Sequence, residues 1–154
     1  MADLATVTRA LAPHGLCVPG GFIPGVDDNV PGDAAAMVLI ATDKDRFWPV
    51  FSNSAEARDG APDPLDRWSR RVLDTVAADL GARAFYPFGP RPWHPFIRWA
   101  ARSEGSHPSP IGIPVSPRRG LWAGYRGALA FAPPMALPPV PETDPCHTCP
   151  APCL

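Results

Sequence analysis

The stretch Asp63-Pro-Leu-Asp-Arg-Trp-Ser-Arg-Arg-Val-Leu-Asp-Thr-Val-Ala-Ala-Asp-Leu80 carries the clearest fold signal in this chain. Asp63 is expected to cap a helix, Pro64 suits its first position, and Gly81 would stop it. Apolar residues recur along it at three- and four-residue intervals, so one face should be buried. That stripe consists of Leu65, Trp68, Val72, Val76 and Leu80.

Apolar stretches on both sides of this helix predict strands for it to pack on. Ala36–Ala41 is a continuous apolar run, which is typical of a strand buried on both faces. A short strand is expected at Ala84–Tyr86 and a longer one at Leu121–Phe131. Ile111–Val115 resembles an edge strand, because proline cannot donate to a central ladder, and Ser116–Gly120 would join it to the longer strand as a hairpin turn.

Two shorter helices complete the expected fold, one from Asp3 to about Ala12 and one from Pro95 to Arg102. The glycine- and proline-rich stretch Val18–Asp33 predicts a loop. Strands and helices in mixed order indicate an α+β class, with a mixed or antiparallel sheet and flanking helices. The 154 residues predict one domain over residues 1–132, followed by an extended proline-rich arm over 133–154.

Composition limits the partners of the chain. Its net charge is −1 and no basic stripe alternates with aromatic residues, which argues against nucleic acid. No apolar run approaches the roughly 20 residues that span a bilayer, and the acidic start Met1-Ala2-Asp3 has no apolar targeting segment. These patterns favour a cytoplasmic, reducing location. Dinucleotide, nucleotide, zinc-protease and serine-hydrolase motifs are absent from the sequence.

The final residues hold three cysteines, Cys146, Cys149 and Cys153, spaced C-x2-C-x3-C. Closely spaced thiolates hold iron–sulfur clusters, and bacterial [4Fe–4S] motifs add a fourth Cys followed by Pro. The fourth ligand is expected just beyond Leu154, so the motif is interpreted as truncated. Two other interpretations stay open: a zinc site that adds His147 to the thiolates, and thiols without a metal.

A second motif resembles a known family. Pro117, Arg118, Gly120 and Trp122, then Arg126 and Gly127, follow the strand–turn–strand pattern of the cytosolic cobalamin-processing proteins named for combined methylmalonic aciduria and homocystinuria of type C. The whole chain also resembles small bacterial ferredoxin-like proteins with a cysteine-rich tail, and the epoxyqueuosine reductases, which join a cobalamin-binding domain to [4Fe–4S] motifs. The tail departs from the ferredoxin pattern by one residue fewer between its second and third cysteines.

The resemblance implies a nitroreductase-like fold of the cobalamin-processing type, a corrinoid ligand, and a redox partner protein. It implies that Arg126, Trp122, Tyr125, Gly120 and Gly127 lie at the corrinoid. The alternatives are core packing for Trp122, a buried salt bridge from Arg126 to an acid such as Asp43, and turn or bulge geometry for the glycines. His94 and His107 are either cobalt or pocket ligands or ordinary loop histidines.

The function expected from this resemblance is electron transfer from an iron–sulfur cluster to a bound corrinoid, and an oxidoreductase activity linked to cobalamin stays open. Three alternatives remain. The first is an electron-transfer or assembly adaptor without a corrinoid. The second is a flavin-dependent enzyme of the nitroreductase type. The third is a truncated product without a redox role.

Overall fold

The computed structural model describes residues 3–150 and residue 153. Five α-helices lie within this part of the chain, at the following bounds: α1 Leu4–Leu11, α2 Phe47–Ser52, α3 Ala55–Arg58, α4 Pro64–Leu80 and α5 Phe96–Glu104. The strands have these bounds: β1 Leu16–Phe22, β2 Ala36–Thr42, β3 Arg83–Phe85, β4 His107–Pro108, β5 Pro114–Val115 and β6 Tyr125–Phe131.

Four strands form one sheet in the order β1-β2-β6-β3, and every neighbouring pair is antiparallel. Strands β4 and β5 pair separately as a two-stranded ribbon. Helices flank the sheet, so the α+β class with an antiparallel sheet is confirmed. None of the helices within the described residues is both long and apolar enough to cross a membrane.

The sheet is covered on both faces, which places a hydrophobic core on each side. Side chains of β2 alternate between the two cores, and Ala36 through Ala41 are all buried, as the continuous apolar run predicted. One core holds Val38 and Ile40 with the apolar stripe of α4. The other holds Met37 and Leu39 with α5, and Trp99 is fully buried there.

Helix α4 begins and ends where the sequence predicted. Pro64 is its first residue, and Gly81 ends it with a positive φ of 65°, a conformation that glycine adopts without strain. The expected cap is different, because Asp63 has a φ of 52° and its side chain makes no capping hydrogen bond. At α1, by contrast, Asp3 does cap the helix, because its side chain accepts a hydrogen bond from the Thr6 amide at 2.7 Å.

Two strand predictions are wrong. The stretch Ile111–Phe131 is no hairpin, since β5 pairs with β4 and the long strand begins only at Tyr125. The segment expected as a loop contains β1, an edge strand that pairs with β2. Its Pro19 lies where the β1–β2 register shifts, between Cys17 and Gly20, and a bulge at an edge is where a strand tolerates proline.

The proline-rich arm returns along the domain in an extended conformation. Met135 and Leu137 are half-buried against the α4-side core. A Cβ added to Gly21 would lie 2.9 Å from Leu137 Cδ2, and one added to Gly105 would collide with the carbonyl of Pro141. The arm therefore lies directly on two glycines of the domain, upstream of the tail cysteines.

Candidate functional site

The three tail cysteines line one cavity of about 300 Å³. Its other walls come mainly from the segment between β4 and β6 and are largely apolar: Ser109, Pro110, Ile111, Val115, Leu121 and Pro145. The spacing of the cysteines predicted that they act together, and the structure brings them together. Within residues 3–150 and 153, no three His, Cys, Asp or Glu side chains converge on a point that could hold one metal ion.

Asp144 fixes the turn that presents these thiols. Its carboxylate accepts a hydrogen bond from the Cys146 amide at 2.8 Å, and its carbonyl accepts one from the His147 amide at 3.3 Å. A side-chain carboxylate that binds the backbone two residues on stabilises a turn. The other carboxylate oxygen lies 3.2 Å from His107 Nε2, so the turn is tied to β4.

The Cys146 thiol has a perturbed acidity. Burial raises its pKa, and the neighbouring Asp144, Cys153 and Cys149 raise it further. That Cys149 and Cys153 both raise the pKa of Cys146 agrees with the position of the three cysteines around one cavity. Because a thiol must lose its proton to bind a metal, binding here is expected to strengthen as the pH rises.

A groove adjoins the thiol cavity, and Leu121 lines both of them. The first part of the groove encloses about 590 Å³ between the segment after β2 and the segment before β6. Its most prominent side chains are Trp48 and Trp122, which are 66% and 83% exposed. The groove and the thiol cavity therefore lie on either side of Leu121.

The groove continues into a second cavity of about 380 Å³. Its walls include the basic residues Lys44, Arg118 and Arg119 together with Cys17. Burial is the main effect on the Cys17 thiol and raises its pKa. The cavity therefore combines a protonated thiol with basic side chains, which is a polar surface beside the apolar one.

A buried carboxylate, Glu104, organises the protein beneath this second cavity. Glu104 is 1% exposed. It accepts hydrogen bonds from Ser116 Oγ at 2.8 Å, from Arg119 Nη2 at 2.7 Å, and from the Tyr125 hydroxyl. Burial and this hydrogen bond raise the pKa of the Tyr125 hydroxyl. Three donors around one buried carboxylate hold the loop before β6 in place.

Of the residues that the resemblance assigns to a corrinoid, two lie on or next to the groove. Trp122 lines both of its parts, and its high exposure shows that core packing is the wrong alternative for it. Gly120 lies in the turn beside it with a φ of 59°. Backbone hydrogen bonds of 2.9 Å between Gly120 and Ser116 close that turn in both directions.

The other three residues, Tyr125, Arg126 and Gly127, lie on β6, where a β-bulge interrupts the pairing with β2. The pairing passes from Ile40 opposite Gly127 to Ala41 opposite Tyr125, which leaves Arg126 as the extra residue. Arg126 consequently lies on the same face as Gly127, against α4, whereas Tyr125 faces the other way and reaches Glu104 on α5. A Cβ added to Gly127 would lie 2.5 Å from Leu73 Cδ1, so this glycine packs against α4.

Arg126 has an intramolecular partner, but it is not Asp43. Its Nη2 lies 2.5 Å from Asp66 Oδ1, and its Nε donates to Ser69 Oγ at 3.0 Å. The guanidinium also lies over the Phe88 ring, 5.3 Å from its centroid. The side chain is only 13% exposed, so this set of contacts satisfies a largely buried charge.

The two histidines considered as ligands occupy different environments. His94 stacks on Trp99 with ring centroids 5.5 Å apart, and burial lowers its pKa. It lies against an apolar cavity beside α5, away from the groove. His107 contacts Asp144 and so supports the cysteine turn.

Sequence reasoning missed several residues that shape the site. Asp144 could have been found, because an aspartate two residues before a cysteine in a turn is a familiar local arrangement. Trp48 is exposed on the groove, and nothing in the local sequence marks it as a groove residue rather than a core residue. Leu121 and Ile111 carry no local signal, since only the tertiary fold brings them to the thiols.

A scan against protein-family models finds none that matches this chain, and a search of curated proteins finds no significant match.

Proposed function

We propose that this chain is an iron–sulfur redox protein of the ferredoxin type, in which Cys146, Cys149 and Cys153 hold a [4Fe–4S] cluster. The observation that carries the proposal is the shared cavity that these three thiols line. In such a cluster each thiolate binds a different iron, so the ligands surround a volume rather than a point. A ligand beyond these three completes the set.

The residues around the cavity fit this chemistry. Ile111, Val115 and Leu121 supply apolar walls, which limit water and so influence the reduction potential of a cluster. Asp144 and His107 hold the turn that carries Cys146. A bound cluster would supply one-electron transfer, with a redox partner protein as the electron donor.

The groove next to the thiols is the proposed place for the electron acceptor. The resemblance to the cobalamin-processing proteins and the epoxyqueuosine reductases favours a corrinoid there, within a nitroreductase-like fold of the cobalamin-processing type. Trp122 and Leu121 would contact it, and Leu121 would lie between it and the cysteines. Thiolate chemistry of this kind suits a reducing compartment, so we propose a cytoplasmic location.

Anaerobic reconstitution with iron and sulfide tests the cluster, with dithiothreitol present to offer a thiolate for the remaining position. We expect broad brown absorbance and about four irons per chain. Cys149→Ser should lose most of the iron. Cys17→Ser is the matched control, because that thiol lies in the second cavity and should not be needed.

Two outcomes contradict the proposal. A colourless protein that binds a single zinc ion would assign the tail to a structural zinc site. Iron binding that is equally strong in the wild type and in the Cys146→Ser, Cys149→Ser and Cys153→Ser triple variant would show that the tail thiols are not the ligands.

An adaptor without a corrinoid would bind iron but leave the visible bands of added cobalamin unchanged.

A further inference from the structure

A cavity of about 630 Å³, which we call the α5 cavity, lies between α5 and the ribbon of β4 and β5. Trp93, Ile97 and Pro114 are among its walls, and Trp93 and Ile97 are 60% and 72% exposed. No Asp or Glu lines it within the described residues. Large apolar side chains left in water around one concavity indicate a binding site.

The walls of the α5 cavity are largely rigid. Prolines line it on several sides: Pro87, Pro95, Pro108 and Pro114. A proline side chain has almost no conformational entropy to lose on binding. Trp93 is also fixed, because its indole Nε1 donates a hydrogen bond to the Gly89 carbonyl at 2.9 Å. The cavity is therefore preformed, which lowers the entropic cost of binding a partner.

The rim of the α5 cavity is positively charged. Arg98 on its wall and Arg102, one turn further along α5, both contact the carboxylate of Asp28, at 3.2 and 3.4 Å. That carboxylate is buried, whereas both guanidiniums are about half exposed. Two cations thus share one anion, and a net positive charge remains at the surface. Arg91 adds to it, since it lies 4.5 Å from the centroid of the Trp93 ring and makes no ion pair within residues 3–150 and 153.

This rim belongs to a segment in which charge is unevenly distributed. Residues 83–126 contain seven of the 14 Lys and Arg residues but only one of the 15 Asp and Glu residues. That acid, Glu104, is buried and donates no charge to the surface, because it is paired with Arg119. A chain with a net charge of −1 therefore concentrates positive charge around the α5 cavity, and such a region attracts an acidic partner.

The β4–β5 ribbon connects this cavity with the thiols. Pro108 pairs with Pro114, and both line the α5 cavity. The neighbouring pair is His107 with Val115. Because successive strand residues point to opposite faces, this second pair lies on the other face, where Val115 lines the thiol cavity and His107 contacts Asp144. The ribbon therefore has the α5 cavity on one face and the thiol cavity on the other.

A protein segment fits the α5 cavity better than a lipid surface or a nucleic acid does. The surface is concave and so accepts an inserted side chain, whereas a membrane is bound by apolar side chains that enter the bilayer. Nucleic-acid interfaces are more polar than these walls. A protein segment supplies both an apolar anchor for the cavity and carboxylates for its basic rim.

We propose that the α5 cavity is the docking site of an acidic protein partner. A segment of that partner inserts an apolar side chain between Trp93 and Ile97, and the flanking carboxylates pair with Arg91 and Arg98. The docking site does not depend on the cluster. That its occupant is the redox partner rests on the proposed function, because the ribbon connects this cavity with the thiols.

Selection from a random peptide library displayed on phage tests the docking site, with the metal-free 154-residue chain as the bait at low salt. We expect the enriched peptides to share an apolar residue flanked by Asp or Glu. A synthetic peptide with the consensus sequence is then labelled, and its affinity is measured by fluorescence polarisation. Replacing its acids with Asn and Gln should weaken binding about tenfold, and added salt should remove this difference.

Matched variants assign the binding to the α5 cavity. Ile97→Glu should weaken binding of the consensus peptide about tenfold, because it places a like charge on the apolar wall. Ala78→Glu is its control, since it adds the same charge at an exposed position of α4, which packs on the other face of the sheet. Arg91→Gln should weaken binding of the acidic peptide but not of its amide counterpart, whereas Arg9→Gln should change neither. All four positions are exposed, and melting temperatures check that each variant is folded.

The inference is overturned if no peptide is enriched, if the enriched peptides lack acidic residues, or if Ile97→Glu binds them as the wild type does. Sedimentation with vesicles that contain phosphatidylserine, lost in Ile97→Glu, would assign the surface to a membrane and would also overturn it. The iron experiment is independent, because the bait carries no iron. Enriched acidic peptides without iron binding would retain the docking site and remove its redox role, whereas iron binding without acidic peptides would retain the cluster and remove the docking site.

Discussion

Arg126 on β6 is joined to Asp66 on α4, with 2.5 Å between Nη2 and Oδ1. The two residues are 60 positions apart in sequence, and the contact links the central sheet to its longest helix. A residue that the resemblance assigns to a ligand thus makes an internal contact.

We expect Arg126→Gln to lower the free energy of unfolding by about 3 kcal/mol, because it leaves Asp66 and Ser69 without their charged donor. Urea unfolding measures the loss. A double-mutant cycle with Asp66→Asn should give a coupling energy well above zero. Unchanged stability combined with weaker ligand binding would instead return Arg126 to the ligand site.

Trp68→Ala should destabilise the protein by about 3–5 kcal/mol, because it removes a large buried ring. Trp68 is 2% exposed and makes edge contacts with Phe47 and Phe51, at 5.6 and 5.8 Å between ring centroids. Trp122→Ala is the control and should change the stability by less than about 0.5 kcal/mol, since that ring is mostly in solvent. A similar loss of stability in both variants would contradict the burial of Trp68 and the exposure of Trp122.

Gly127→Ala should destabilise the protein by about 1–3 kcal/mol through overpacking. The new methyl group would lie 2.5 Å from Leu73 Cδ1 and 2.9 Å from the Phe85 carbonyl oxygen. Gly25→Ala provides the comparison, because its nearest contact, Asp28 Oδ2, is at an ordinary 3.6 Å. Thermal melts of both variants decide whether Gly127 is needed for helix packing.

Stability is expected to fall in acid partly because of Glu56. The hydrogen bonds from Arg71 lower the pKa of this carboxyl in the folded protein. Its contribution is therefore complete above the unfolded-state pKa of about 4.3 and is lost as the pH falls through the lower folded-state value. Glu56→Gln should be less stable than the wild type at pH ~7, and the difference should shrink as the pH falls below about 4.3. Urea unfolding at neutral and at acid pH measures this difference in stability. An equal difference at both pH values would count against this role of Glu56.

Asp144→Ala should weaken iron retention by about tenfold, because residues that orient metal ligands usually contribute that much. The change removes the hydrogen bond to the Cys146 amide and the contact with His107. Iron loss to a chelator after reconstitution is the measurement. Glu142→Ala, two residues upstream and exposed, should lose iron at the wild-type rate; equal rates in both variants would show that the turn does not depend on Asp144.

Local patterns predicted the elements that depend on neighbouring residues. The bounds of α4 follow from its apolar spacing, Pro64 and Gly81, and the burial of β2 follows from its continuous apolar run. Strand pairing depended on distant residues instead. Nothing near Pro114 indicates that it pairs with Pro108 rather than continuing toward β6.

The candidate site also combines features that local sequence predicted with features that depend on distant residues. The spacing of the three cysteines predicted a common site, because ligands that are close in sequence need little tertiary information. The bulge at Arg126 had no such signal, and it puts Arg126 on the same face of the sheet as Gly127, against α4. A strand pattern carried over from a resemblance cannot anticipate a one-residue shift of this kind.

The length of the arm that lies on Gly21 and Gly105 affects where the tail cysteines are placed. It is fixed to the domain by Leu137 and Pro141, and only a few residues separate Pro141 from Cys146. An extended chain advances about 3 Å per residue, which is a substantial fraction of the width of a cavity of about 300 Å³. Inserting or deleting one residue between those points would therefore shift Cys146 relative to Ile111 and Leu121, so the length of this connection contributes to the site together with the cysteines.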